Sequence, residues 1–231
     1  MSGTAPETRA EASVDALVAG LFDRIAELAQ EAAGLWSGGP PAASDLATLR
    51  PAISRLVVDN ASLISGAGVA GGPGSFADQD RWLEWWWARP DRGPEALRVN
   101  LDPRAPDCYD VAGEPWYQVP MREGRGYVAG PTVDYACTMD YALTMAWPIE
   151  SPDDGRPVAV AALDVPVGRL ETRLLPALTA DAGRLTLVNG ADRVVLSATA
   201  GCLPGDLVPG ADPLRMCGHP ALRGWLLIDQ G

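Results

Sequence analysis

Between Tyr109 and Asp164 the chain gathers residue types able to hold a small molecule. Tyr109-Asp110 is followed by Glu114-Pro115-Trp116-Tyr117 and then by Gly130-Pro131-Thr132-Val133-Asp134-Tyr135. The stretch closes on the apolar run Val158 to Leu163, capped by Asp164. Aromatic rings supply flat apolar walls and, in tyrosine and tryptophan, a polar tip. Carboxylates supply the charge that orients a ligand. Asp164 is the most constrained of them, because a carboxylate at the end of an apolar strand is costly unless something partners it. Asp110 and Asp134 also suit turns, where aspartate bonds its own backbone. Glu114 has two readings as well, a pocket wall or a surface pair with Arg122 or Arg125.

The totals remove other chemistries. All 18 basic residues are arginine, which excludes lysine Schiff bases and lysine-dependent phosphate loops. A net charge of -12 with scattered cations argues against a nucleic-acid partner. With one histidine, and with Cys108, Cys137, Cys202 and Cys217 lacking C-x-x-C spacing, no metal site and no cofactor is expected, and the cysteines read as free, mostly buried thiols. Cys217-Gly218-His219 is the one close thiol and imidazole pair. A single intervening glycine rarely lets both side chains reach one substrate, so the chain is not read as an enzyme. Asp153-Asp154 belongs to a turn. No apolar window of about 18 residues exists, and the Met1 segment carries acids where a signal peptide is basic and then apolar. The expectation is a cytoplasmic protein with no membrane partner.

These groups need a rigid frame, and the rest of the chain reads as one. Ser13 or Asp15 is the expected cap of a helix whose residues Val14, Val18, Leu21, Ile25, Leu28, Ala32 and Leu35 form one apolar stripe, about 33 Å long. The stripe fits either the chain's own sheet or the seam of a homodimer. Gly38-Gly39-Pro40-Pro41 ends it. A second helix starts at Ser44-Asp45, with Pro51 kinking it or marking its true first turn. Ile64 to Ala70 and Ala96 to Leu101 read as strands.

Arg81 to Trp87 places four indoles in six residues. On a strand, Trp82, Glu84 and Trp86 share one face while Leu83, Trp85 and Trp87 take the other. Glu84 among them needs a partner, and a ligand could be it. Asp140 to Trp147 and Pro157 to Val165 are neighbouring strands joined through Pro152-Asp153-Asp154-Gly155. Val167 to Leu178 is a helix, Leu185–Val188 and Arg193–Leu196 a hairpin about Asn189-Gly190, and Trp225 to Ile228 a last strand. No repeat or long linker divides the chain, so one domain over 1–231 is expected, with N-terminal helices at about 13–58 and a core at about 64–231.

The run YDVAGEPWY at 109–117 resembles the Cache family of sensor domains, whose usual run is YDPR-x-RPWY. GPTVDY at 130–135 is similar to the family's GPYVD, LTMAWPI at 143–149 to its T-x-x-x-P-V strand, and VAVAALDV at 158–165 to its GVVGIDI. The resemblance covers roughly 109–171. It implies an α+β, PAS-like fold, a central antiparallel β-sheet with a long N-terminal α-helix packed across it. In amino-acid-binding members, Tyr109, Trp116, Tyr117, Asp134 and Asp164 fall on ligand-contacting positions, the two aspartates gripping the ammonium. Those members carry a carboxylate-gripping arginine where this chain has Glu114. Ala112 replaces a second arginine, and Thr132 replaces the tyrosine of GPYVD.

An acceptor-only group cannot pair with a carboxylate as a guanidinium does. Three acids with nearby indoles, Trp86 among them, therefore suggest a small cationic ligand such as an amine, polyamine or quaternary ammonium compound. The expected ligand-binding set is Trp86, Tyr109, Asp110, Glu114, Trp116, Tyr117, Asp134 and Asp164. The alternatives are a sensor for amino acids or organic acids, and a PAS-like dimerisation module without ligand. No kinase, cyclase, methyl-accepting or DNA-binding segment follows, so a separate regulatory or output protein is the expected partner, unless the chain is a fragment.

Overall fold

Thr8 starts the long helix, several residues before the expected caps. In the computed structural model, which describes residues 8–89, 92–136, 138–180, 184–210 and 213–229, Thr8 Oγ1 accepts the Glu11 N–H at 3.1 Å while Glu11 Oε2 accepts the Thr8 N–H. This reciprocal box opens helix α1 (Arg9–Ala33). Ser13 instead donates to Arg9 O within the helix. Val14, Val18, Leu21, Ile25, Leu28 and Ala32 are all buried. The stripe is spent on the chain's own sheet and on a later helix, Val167–Leu178, so it offers no open seam to a second copy. A short 3-10 stretch, Ala43–Leu49, leads into α2 (Arg50–Asp59), and Pro51 marks that helix's first turn.

The main sheet has six antiparallel strands, β1 (Gly66–Gly71), β2 (Trp82–Arg89), β3 (Gly93–Ala96), β4 (Tyr127–Val133), β5 (Tyr141–Glu150) and β6 (Pro157–Pro166). Their order is β3-β2-β1-β6-β5-β4. The strand expected at Ala96 to Leu101 is displaced. It ends at Ala96, and Asn100 makes only an isolated bridge to Cys108. Helices α1, α2 and α4 (Val167–Leu178) cover one face over the larger apolar core. Helix α3 (Pro115–Glu123) and the segment before it cover the other, over a smaller cluster built on Trp85, Val111, Trp116 and Tyr117. The fold is the expected α+β, PAS-like one.

The strand parity of the tryptophan run holds, with Trp82 and Trp86 facing the helices and Leu83 and Trp85 facing α3. The Trp85 ring lies across β1, where a Cβ at Gly68 would strike Glu84 O and, at 2.8 Å, Trp85 Cα. A Cβ at Gly66 would come within 2.8 Å of Trp85 Nε1. Glycine at both positions lets the indole lie flat on the sheet. Gly68→Ala should therefore cost about 1–3 kcal/mol through overpacking. Calorimetric unfolding would show this as a lowered midpoint, whereas an unchanged midpoint would mean that the ring has slack.

A second sheet, not distinguished from the first in the sequence, has strands β7 (Leu185–Val188), β8 (Val194–Ser197), β9 (Arg215–Met216) and β10 (Leu226–Asp229) in the order β8-β7-β10-β9. Its β7–β8 hairpin turns over a longer loop than a two-residue Asn-Gly turn. Asn189 Oδ1 accepts from Ala191 N and Arg193 N, and Asn189 Nδ2 donates to Gly130 O on β4 at 2.7 Å. The same sheet is tied to α1, since the Asp15 carboxylate accepts Gly218 N at 2.8 Å and His219 N at 3.1 Å. The His219 ring stacks on Phe22 at 5.1 Å.

Candidate ligand-binding site

On the α3 face of the main sheet lies a cavity of about 890 Å³. Strand register sets its floor. Asp164 pairs across β6 and β5 with Thr144, Thr144 pairs with Ala129 on β4, and Gly66 flanks Asp164 from β1. Side chains directly opposite in an antiparallel pair share a face. Asp164 and Thr144 therefore point together into the cavity, beside Trp85. Thr144 Oγ1 donates to Asp164 Oδ1 at 2.7 Å. Asp164 is 8% exposed, and burial pushes its carboxyl up to about 7, with the Asp134 charge adding to the rise and the Thr144 bond opposing it.

Tyr109, Glu114 and Trp116 form the wall nearest α3. Burial raises the Tyr109 hydroxyl well above its ordinary range. Glu114, Asp164 and Asp134 raise it further, while a hydrogen bond from Trp116 opposes them. One phenol thus senses three carboxylates. Glu114 lines the cavity, half-buried, its carboxyl raised by burial and then by Asp110. The surface pairing considered for it is taken by Glu123, which lies 2.8 Å from Arg122 and 2.6 Å from Arg125. Asp134 bonds its own turn and also lines the cavity. Its carboxylate accepts Ala136 N, Thr138 N and Thr138 Oγ1, and the residue lines the cavity mouth.

Three expected site residues lie elsewhere. Asp110 is exposed and pairs with Arg81 at 2.9 Å. Tyr117 is buried beneath the wall, its hydroxyl accepting the Gly72 N–H at 2.6 Å, so it fastens α3 to the sheet. Trp86 is on the opposite face, where strand alternation puts it, and its Nε1 donates to Glu84 Oε1 at 2.7 Å. Glu84 accordingly finds its partner within the protein, in Arg50 at 2.9 Å.

Sequence reasoning missed the cations of the cavity. Among the described residues its lining includes Asp107, Glu114, Asp134 and Asp164, but also Arg98, Arg125, Arg193 and Arg223. A chain of net charge -12 thus builds a cavity with equal numbers of both signs. These arginines come from four separate segments, and no local motif announces them. Trp85 was missed in favour of Trp86, although Gly68 opposite it and Gly66 beside its ring mark the face on which a flat ring fits.

The thiol and imidazole near the C-terminus are not an activated pair. Burial, followed by Asp15 and Glu11, pushes the Cys217 thiol up to about 12. Burial also lowers His219. Its Nδ1 accepts Ala221 N as a cap. Cys108 and Cys217 are free thiols, and they and Cys202 are partly exposed where buried thiols were expected. Cys137 lies outside the described residues. Among these residues, no helix is long and apolar enough to cross a membrane.

No family model and no curated protein matches this sequence. Solved structures do match in fold. The ligand-binding domain of the Pseudomonas fluorescens chemoreceptor CtaA, in complex with L-alanine, is 15% identical with a TM-score of 0.60, over 96% of this chain and 92% of that one. The ligand-binding domain of the Campylobacter jejuni chemoreceptor Tlp3, in complex with L-valine, is 15% identical with a TM-score of 0.57, over 87% of this chain and 72% of that one. The periplasmic sensory domain of the Campylobacter jejuni chemoreceptor Tlp1 is 12% identical with a TM-score of 0.60, over 87% and 75%. The helix across the sheet, α3 on the cavity side and the strand order together make this chain's fold that of the Cache-type, PAS-like domains.

Proposed function

We propose that this chain is a non-catalytic ligand-sensing domain whose cavity takes an α-amino acid and which signals through a separate output protein. The observation that carries the reading is Asp164, a buried carboxylate facing a cavity walled by Tyr109, Trp116 and Trp85. A ligand ammonium is the group that such a carboxylate lacks. Asp134 stands at the same cavity, and the ligand's carboxylate would meet Arg98 on its wall, Arg125 being engaged by Glu123 and Gly126 O. Two structures of the same fold hold L-alanine and L-valine, which supports this reading over a purely cationic ligand. Glu114 favours the second reading, an amine or polyamine, because it adds a third acid to the wall near Tyr109.

A thermal-shift screen separates the two. A ligand that binds only the native state at a hundredfold excess over its Kd stabilises by about 2.7 kcal/mol. L-Alanine and L-valine should raise the midpoint, while acetate and other plain carboxylates should not. A response to putrescine or choline with none to amino acids would transfer the reading to cationic amines, and a response to carboxylates alone would sink both.

A further inference from the structure

The cavity is larger and more cationic at one side than a compact amino acid requires. Its 890 Å³ lies near the top of the roughly 300–1,000 Å³ range of sites that enclose drug-sized ligands. Asp164 is on β6, and β4 is two strands away, about 10 Å at the usual strand spacing. Past that edge strand come the loops of the second sheet, fixed to it by Asn189 Nδ2 donating to Gly130 O. Those loops carry Arg193 and Arg223, both exposed and both lining the cavity. Arg193 Nη1 donates to Gly205 O, which leaves the rest of its guanidinium open. Arg223 makes no side-chain bond among the described residues. Asp107 also lies on the cavity wall, its carboxylate engaged by Asn100 Nδ2 at 2.8 Å.

We propose that the ligand is extended and carries a second anionic group remote from its ammonium, a small acidic peptide or similar amino-acid derivative. Its ammonium meets Asp164 and its distal carboxylate meets Arg193 and Arg223. The inference rests on the amino-acid reading above and narrows its ligand class. A guanidinium pair at the far end explains why a cavity with a carboxylate floor recruits cations from loops of a different sheet, since planar guanidinium forks match carboxylates bidentately.

Titration of the whole chain with L-alanyl-L-glutamate and L-alanyl-L-glutamine tests it, because the two probes share the ammonium and the terminal carboxylate and differ only in the side-chain carboxylate, the second anionic group. The acidic peptide should bind about five- to tenfold more tightly at low salt, the scale of partly exposed charge-assisted pairs. That preference should shrink in 1 M salt. It should also collapse in an Arg193→Gln/Arg223→Gln double variant, whose exposed positions leave the fold intact. Equal affinities, or a preference that survives the double substitution, overturn the inference. A response to L-alanine with none to either peptide also overturns it and leaves the amino-acid reading standing. Failure of all three probes removes both.

Discussion

Asp164→Asn is expected to weaken amino-acid or amine binding at least 100-fold while making the unliganded protein more stable at neutral and higher pH. The two effects have one cause. In the free protein, the Asp164 side chain is held by Thr144 alone among the described residues, and burial lifts its carboxyl from an ordinary 3.8 to about 7. A carboxyl raised on folding favours the native state fully below the unfolded value, and that advantage is lost as pH rises through the folded value. Above about pH 7 the native state therefore holds a buried charge at a cost on the order of 4 kcal/mol. Asparagine keeps the shape and still accepts from Thr144, so the cost disappears. A ligand ammonium, in contrast, requires the ionised form and forms a charge-assisted bond worth about 3 kcal/mol.

The pH profile follows with its sign. Ligand affinity should rise about tenfold per unit as pH climbs toward 7, because each binding event below that value must first remove a proton. It should then level off. Calorimetric titration at pH 5.5, 6.5 and 7.5, beside urea unfolding of the ligand-free wild type and variant, measures both halves. Undiminished binding by Asp164→Asn would remove Asp164 from the site, and a flat pH profile would mean that its charge is already neutralised by a group within the fold.

Periodicity made most of the frame legible. The Val14 to Ala32 stripe, the strands flanking Pro152 to Gly155 and helix α4 all carry patterns that a single segment specifies. The start of α1 was placed late because Ser13 and Asp15 are good caps in isolation, while Thr8 with Glu11 forms a reciprocal pair. Asp15 is spent on a contact with residues 218 and 219, which no local pattern reveals. The division into two sheets is equally non-local, since it depends on β10 pairing with β7 and β9 rather than with the main sheet.

The cavity was half legible for the same reason. Tyr109, Glu114, Trp116, Asp134 and Asp164 line it, and they are the residues that the YDVAGEPWY run and the ends of two strands single out. Alternation told which tryptophans share a face but not which face meets the cavity. That depends on β1, whose Gly66 and Gly68 accept Trp85 from the β2 side and flank Asp164 and Ala162 from the β6 side. The four arginines that balance the acids lie at positions 98, 125, 193 and 223, and only the fold assembles them. A reading confined to the local run saw an arginine lost at 114 and inferred a cationic ligand. The whole cavity carries both signs.

Arg50→Ala should lower stability by about 2–3 kcal/mol and leave ligand binding untouched, which separates the two faces of β2. Glu84 is the other carboxylate for which the sequence suggests a ligand, and its side chain is 6% exposed while that of Arg50 is 52% exposed. Arg50 Nε and Nη2 reach Glu84 Oε1 and Oε2 at 2.9 and 3.3 Å, Trp86 Nε1 adds a third donor at 2.7 Å, and the guanidinium sits 6.0 Å from the Trp86 ring centre. Breaking a fully buried pair costs about 3–5 kcal/mol, because the remaining charge stays desolvated. The cost here is lower, since the half-exposed Arg50 leaves a gap that water can enter. For a chain of this size the loss corresponds to a fall of roughly 5–10 °C in the thermal midpoint. Glu84→Gln in the Arg50→Ala background should recover part of it, because a neutral amide no longer needs the cation. Differential scanning calorimetry of the three proteins measures the stabilities, and titration with whichever amino acid stabilises the wild type measures binding. An unchanged midpoint would mean that Glu84 is served by Trp86 alone, and loss of ligand affinity would mean that the helix-covered face of β2 communicates with the cavity on the other side.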